Sequence, residues 1–224
     1  IPAYKNDVYV VPDGVATLAD GAFRDVRRTR NAFTEIVLPQ SLETIEARAF
    51  QYCSRLETLR IPANVATVGG LAFIGCDALK TFEVAPENRV LSAKDGLMLS
   101  DGGKMFCCVV ADQNRRVLKL PEGVERAQSN AVASKKFAEL VLPESLTEIK
   151  ASAFANCENL TTVAIPKNVR YIGGRAFSNS PKLAEIVLKS SATKYESNAF
   201  QDVAPNCKIR VDESQTLEPK DDAN

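Results

Sequence analysis

Apolar residues recur along this chain in triplets of fixed internal spacing. Phe33-x-x-Ile36-x-Leu38, Leu56-x-x-Leu59-x-Ile61 and Leu79-x-x-Phe82-x-Val84 follow one another every 23 residues. The rhythm resumes with Phe137-x-x-Leu140-x-Leu142, Leu160-x-x-Val163-x-Ile165 and Leu183-x-x-Ile186-x-Leu188. Alternation within a triplet is the period of a half-buried strand. Recurrence at this distance predicts stacked coils whose strands form a parallel sheet, with each connection returning on the opposite side. A second marker keeps the same register. Pro12, Pro39, Pro62, Pro143 and Pro166 are each followed 11 residues later by Phe23, Phe50, Phe73, Phe154 and Phe177. Val132 and Phe200 stand at that distance from Pro121 and from Lys189, which takes a proline slot. Alanine precedes each of the seven (Ala22, Ala49, Ala72, Ala131, Ala153, Ala176, Ala199), so a large core side chain alternates with one that lets backbones approach.

Two insertions interrupt the period. An arginine-rich piece, Arg24 to Arg30, follows Phe23. A longer segment after Val84, SAKDGLMLSDGGKMFCCVV, carries two apolar runs around Asp101-Gly102-Gly103 and predicts a β-hairpin grafted onto the stack at about 90–115. Before the first coil, Tyr4, Val8 and Val10 alternate, as expected of a strand capping the N-terminal end at 1–11. The coils fill 12–211 as one domain, and the polar stretch 212–224 is expected to be a flexible tail.

The pattern Ser41-Leu42…Ala49-Phe50…Cys53…Leu56…Leu59…Ile61-Pro62 resembles the BspA-type leucine-rich repeat of bacterial cell-surface proteins, over roughly residues 10–211. Asp95-Gly96-Leu97…Asp101-Gly102-Gly103-Lys104 is similar to a hairpin frequent in that family. Val132 for Phe, Ser180 for Cys and Lys189 for Pro depart from the pattern. The resemblance implies an α/β leucine-rich repeat fold: a right-handed solenoid with a parallel β-sheet on the concave face, short helical or turn segments on the convex side, and the inserted hairpin. It also implies a secreted or cell-surface location, a role in adhesion or recognition, and no catalytic residues to carry over.

Composition narrows the function classes. Lys+Arg and Asp+Glu both number 28, so no global field steers the chain to nucleic acid or anionic membrane. The absence of histidine excludes His-based catalysis and His-ligated metal. No apolar run approaches the ~20 residues of a membrane span, and no signal peptide is visible. Cys53, Cys76 and Cys157 lie three residues after the core Phe, where a small buried residue with a weak S–H donor suits a turn. Strand alternation would put vicinal Cys107 and Cys108 on opposite faces, one in the core and one at the surface. The Gly69-Gly70 and Gly173-Gly174 pairs are read as backbone-conformation positions. Asp95 and Asp101 lack the calcium-loop pattern, so no metal and no cofactor is expected.

What remains is surface. Alternation turns Glu35, Val37, Thr58, Arg60, Thr81, Glu83, Glu139, Val141, Thr162, Ala164, Glu185 and Val187 outward on the sheet, a mixed protein-binding face. Arg24, Arg27, Arg28 and Arg30 form a candidate polyanion site, weighed against a solvated loop. The expected function is therefore non-enzymatic: a monomer binding a host or neighbouring-cell surface or extracellular-matrix protein. A structural spacer without a ligand of its own is the alternative. An enzyme using Cys107 or Cys108 ranks third and requires a thiol of depressed pKa.

Overall fold

The computed structural model describes residues 7–25, 33–110, 115–132 and 137–212. The predicted triplets form strands, and the strands stack in parallel, but into two sheets. One runs β1 (Val8–Val10), β3 (Glu35–Val37), β5 (Thr58–Ile61), β7 (Thr81–Val84). The other runs β11 (Val117–Lys119), β13 (Glu139–Val141), β15 (Thr162–Ile165), β17 (Glu185–Leu188), β19 (Lys208–Val211). Register puts like on like. Leu59 pairs with Ile36 and Phe82, and Val163 with Leu140 and Ile186, so every coil extends the same apolar columns.

The return side contains no helix among the described residues. It holds two-residue strands: β2 (Thr17–Leu18), β4 (Thr44–Ile45) and β6 (Thr67–Val68) in one ladder. A second ladder holds β12 (Arg126–Ala127), β14 (Glu148–Ile149), β16 (Tyr171–Ile172) and β18 (Lys194–Tyr195). The return side takes the turn alternative expected above and not the helical one, so the α/β character gives way to a parallel β-solenoid among the described residues, and the hydrogen bonds give the reason. A helix needs each N–H to bond four residues back. Here Phe50 N bonds Ala72 O (2.9 Å), Tyr52 N bonds Ile74 O (2.7 Å) and Phe154 N bonds Ala176 O (2.8 Å), each in the next coil. Positive φ two residues before and two after the Phe slot, at Arg48, Tyr52, Ser152 and Asn156, also prevents helical continuation.

The phenylalanines form ladders. Phe23–Phe50 and Phe50–Phe73 stack at 5.5 and 5.6 Å between centroids, and Phe154–Phe177 and Phe177–Phe200 at 5.5 and 5.7 Å. Tyr9 meets Phe23 edge-on at 5.0 Å, and β1 pairs in the same parallel register as the later strands; Tyr4 lies outside the described residues.

The insertion is not grafted onto the outside. It forms three antiparallel strands, β8 (Ser92–Lys94), β9 (Leu97–Ser100) and β10 (Met105–Val109), and β10 then pairs in parallel with β12. This plate separates two cores. Leu97, Leu99, Phe106 and Val109 pack into the C-terminal cluster, while Met98, Cys107, Cys108 and Val110 pack into the N-terminal one. Phe106 stacks on Phe154 at 6.3 Å and supplies the ring that Val132 lacks in the phenylalanine slot of the preceding coil. A register shift between Phe106 and Cys108 turns both cysteines to the same core, correcting the one-in, one-out expectation. The first glycine of each pair answers to backbone geometry, though not to a positive φ. A Cβ on Gly69 would lie 2.4 Å from Ala47 N, and one on Gly173 2.7 Å from Ala151 N, so close backbone approach is the requirement.

Candidate functional site

The outward positions of the first sheet form two rows. Thr58 lies between Glu35 and Thr81, and Val10 pairs with Val37 as Arg60 does with Glu83. Val10 and Val37 are 59% and 42% exposed. Arg60 and Glu83 are joined at 2.8 Å, yet their side chains stay 74% and 52% exposed. A depression of about 380 Å³ opens at the C-terminal ends of β3, β5 and β7. Its walls include Glu35, Val37, Arg60, Ile61, Pro62 and Glu83. Four of the residues expected on the binding face thus surround one concavity, large enough to seat side chains of a partner.

The second sheet differs. Glu139, Thr162 and Ala164 are exposed, and Val141 and Glu185 are half-buried. Val187 is only 7% exposed, which corrects its placement on the open face. Arg210, its cross-strand neighbour, bonds Glu185 at 2.7 Å and Asp212 at 3.1 Å, which lays its stem along the strand that carries Val187. The notch over Pro166 is also bridged, because Lys189 Nζ reaches Glu144 Oε1 at 3.5 Å.

Of the arginines, Arg24 is exposed, while Arg27, Arg28 and Arg30 lie outside the described residues, as does 213–224. Asp101, in the hairpin turn, forms an ion pair with Arg126 of the neighbouring β12. The described residues hold no cluster of three or more His, Cys, Asp or Glu side chains placed for a metal ion.

The repeat cysteines donate to carbonyls as read from their position. Cys53 Sγ bonds Phe23 O (3.2 Å) and Cys76 Sγ bonds Phe50 O (3.0 Å), each in the coil before, and Cys157 Sγ bonds Phe154 O (2.9 Å) in its own. Ser180, in the same slot and fully buried, has no partner for its hydroxyl among the described residues. Burial pushes the thiols of Cys107 and Cys108 up, Cys108 well above the ordinary value. A nucleophilic cysteine requires the opposite direction.

Sequence reasoning missed a polar column beside the prolines. Ser41 Oγ accepts from Gly14 N and donates to Val15 O, both at 3.0 Å, and Ser145 repeats this with Gly123 (3.0 Å) and Val124 (2.9 Å). Asn64 Nδ2 bonds Gln40 O (2.8 Å) and Asn168 Nδ2 bonds Glu144 O (2.7 Å). The available signal was a Ser or Asn two residues after each of these prolines.

The profile of a family described as BspA type leucine rich repeat region matches the chain in six copies, over residues 7–94 and 112–210. No curated protein matches it. A leucine-rich cell surface protein from Faecalibacterium prausnitzii is similar at TM-score 0.66 and 26% identity, covering 94% of this chain and 61% of its own. The pneumococcal vaccine antigen PcpA is similar at TM-score 0.67 and 22% identity, with 91% and 56% covered. A leucine-rich repeat protein from Eubacterium ventriosum gives 0.64 and 17%, with 90% and 57% covered. The last two speak to the fold alone. The chain spans less than two thirds of each of the three. No helix among the described residues is long and apolar enough to cross a membrane.

Proposed function

The chain belongs to the BspA-type leucine-rich repeat family, and on that premise we propose that it is a non-enzymatic recognition module, secreted or held at the bacterial cell surface. Its partner is a protein of a host or neighbouring cell, and the contact is the outer face of the strand ladders. The observation that carries this reading is the concavity on the first sheet, ringed by outward residues of three successive strands. Regular strands hold those side chains at fixed spacing, so a partner binds without ordering a loop. The neutral net charge favours a mixed protein surface over a polyanion. The similarity to a bacterial cell surface protein supports the location.

The test is label-free binding to extracellular-matrix and serum glycoproteins, glycans and polyanions at low and physiological salt. A triple variant, Glu35→Ala/Arg60→Ala/Glu139→Ala, runs alongside. Saturable protein binding that survives physiological salt and is lost in the variant is the expected outcome. Binding abolished by salt alone would shift the site to Arg24 and its neighbours. Silence across the panel would leave the spacer reading, which the cross-coil hydrogen-bond columns also suit.

A further inference from the structure

The two halves of the solenoid provide an internal comparison of the same notch. Gln40, Pro62 and Ala85 in the first half occupy the repeat slots of Glu144, Pro166 and Lys189 in the second. In the second half an ion pair of the protein itself spans the corresponding position, with the Lys189 ammonium 3.5 Å from the Glu144 carboxylate. In the first half Ala85 has no side chain to reach across, Gln40 brings no charge, and the depression stays open.

The open notch has an unbalanced charge. Arg60 is committed to Glu83 at 2.8 Å. Glu35 is exposed and has no ion-pair partner among the described residues. Counting Glu35, Glu83 and Arg60, the walls carry one net negative charge beside an apolar floor of Val37, Ile61 and Pro62. An acidic occupant meets like charge there, and a purely aliphatic one leaves the Glu35 carboxylate unanswered. A basic side chain satisfies both parts, with an aliphatic stem for the floor and a cation for the rim.

Resting on the recognition reading above, we propose that this notch receives a lysine or arginine side chain from an extended segment of the partner protein. The inserted side chain takes the place that Lys189 fills in the second half. An exposed ion pair contributes little by itself, so the notch sets which segment binds and where along the sheet, while the outward rows supply the remaining contact.

The experiment is a methyl NMR titration of the whole chain, following Val37, Ile61 and Val84. The probes are acetyl-Gly-Val-Lys-Val-Gly-amide and the same peptide with norleucine or glutamate in place of lysine. Saturable shifts with the lysine peptide are expected, about tenfold weaker with norleucine and absent with glutamate. Gln40→Glu/Ala85→Lys, which installs the second half's own plug, should abolish them. Glu35→Gln, a conservative change at an exposed position, should reduce the lysine-over-norleucine preference to near unity. Equal response to lysine and norleucine overturns the proposal, as does undiminished binding by the plugged variant. No shift up to about 10 mM peptide overturns it too. A partner protein that binds the plugged variant as tightly as wild type, but not the triple sheet variant, would remove the notch and leave the recognition face standing.

Discussion

At the scale of single residues, one slot shows what the repeat requires of a small buried side chain. Cys76 is buried and spends its weak donor on Phe50 O, whereas Ser180 is equally buried with no acceptor for its hydroxyl. An unsatisfied buried hydroxyl costs about 1–3 kcal/mol. Ser180→Ala should therefore raise the urea midpoint, and a lowered midpoint would show that the hydroxyl is bonded after all. The thiols also set an alkaline limit. Burial raises Cys107 and Cys108, and the neighbouring Cys53 thiol, followed by burial, raises Cys76. Unfolded cysteines lose protons near the ordinary value of 9.0 while the folded ones keep them. The native state then binds more protons, so stability holds below about pH 9 and falls as pH rises beyond it. Urea midpoints in reductant across that range should show the decline, and Cys107→Ala/Cys108→Val should make it shallower.

At the scale of elements, the three-stranded plate of β8, β9 and β10 replaces part of a coil rather than decorating one. Phe106 is fully buried and continues the ring stack toward Phe154, in a region where Val132 holds the phenylalanine slot. Phe106→Ala should cost about 3–5 kcal/mol by leaving a cavity. Val132→Phe alone should cost about 1–3 kcal/mol by overpacking. Combined, they should cost less than their sum, because the new ring fills part of the cavity. Strict additivity in a double-mutant cycle would separate the two positions and refute the substitution of one ring for the other.

At the scale of the molecule, the plate divides the core in two. Met98, fully buried, belongs to the N-terminal cluster, and Leu97 and Leu99 beside it belong to the C-terminal one. A side-chain bond from Gln128 Nε2 to Val68 O (3.2 Å) spans the division. Stacked coils are stabilised mainly by nearest neighbours. Met98→Ala, costing about 2–5 kcal/mol, should accordingly lower hydrogen-exchange protection in β3 and β5 more than in β15 and β17. Equal loss in both pairs would make the chain one cooperative unit.

Much of this protein was determined by its sequence. The fixed spacing of Ile36, Leu59 and Phe82 sets strands in register, since a slip would put core side chains in water. The Pro-to-Phe count located each coil, and the alternation of Glu35, Val37, Arg60 and Glu83 placed them outward together. What the sequence left undecided depended on where hydrogen bonds go between coils. The N–H of Phe50 could have bonded within its own segment, and only stacking sends it to Ala72 and removes the helix. The two apolar runs of the hairpin looked like an appendage, because burial on both faces is a property of the assembled stack. The same holds for the site. Gln40 and Ala85 are unremarkable in one dimension, and it took the ion pair of Lys189 with Glu144 in the other half to show that their notch stands open.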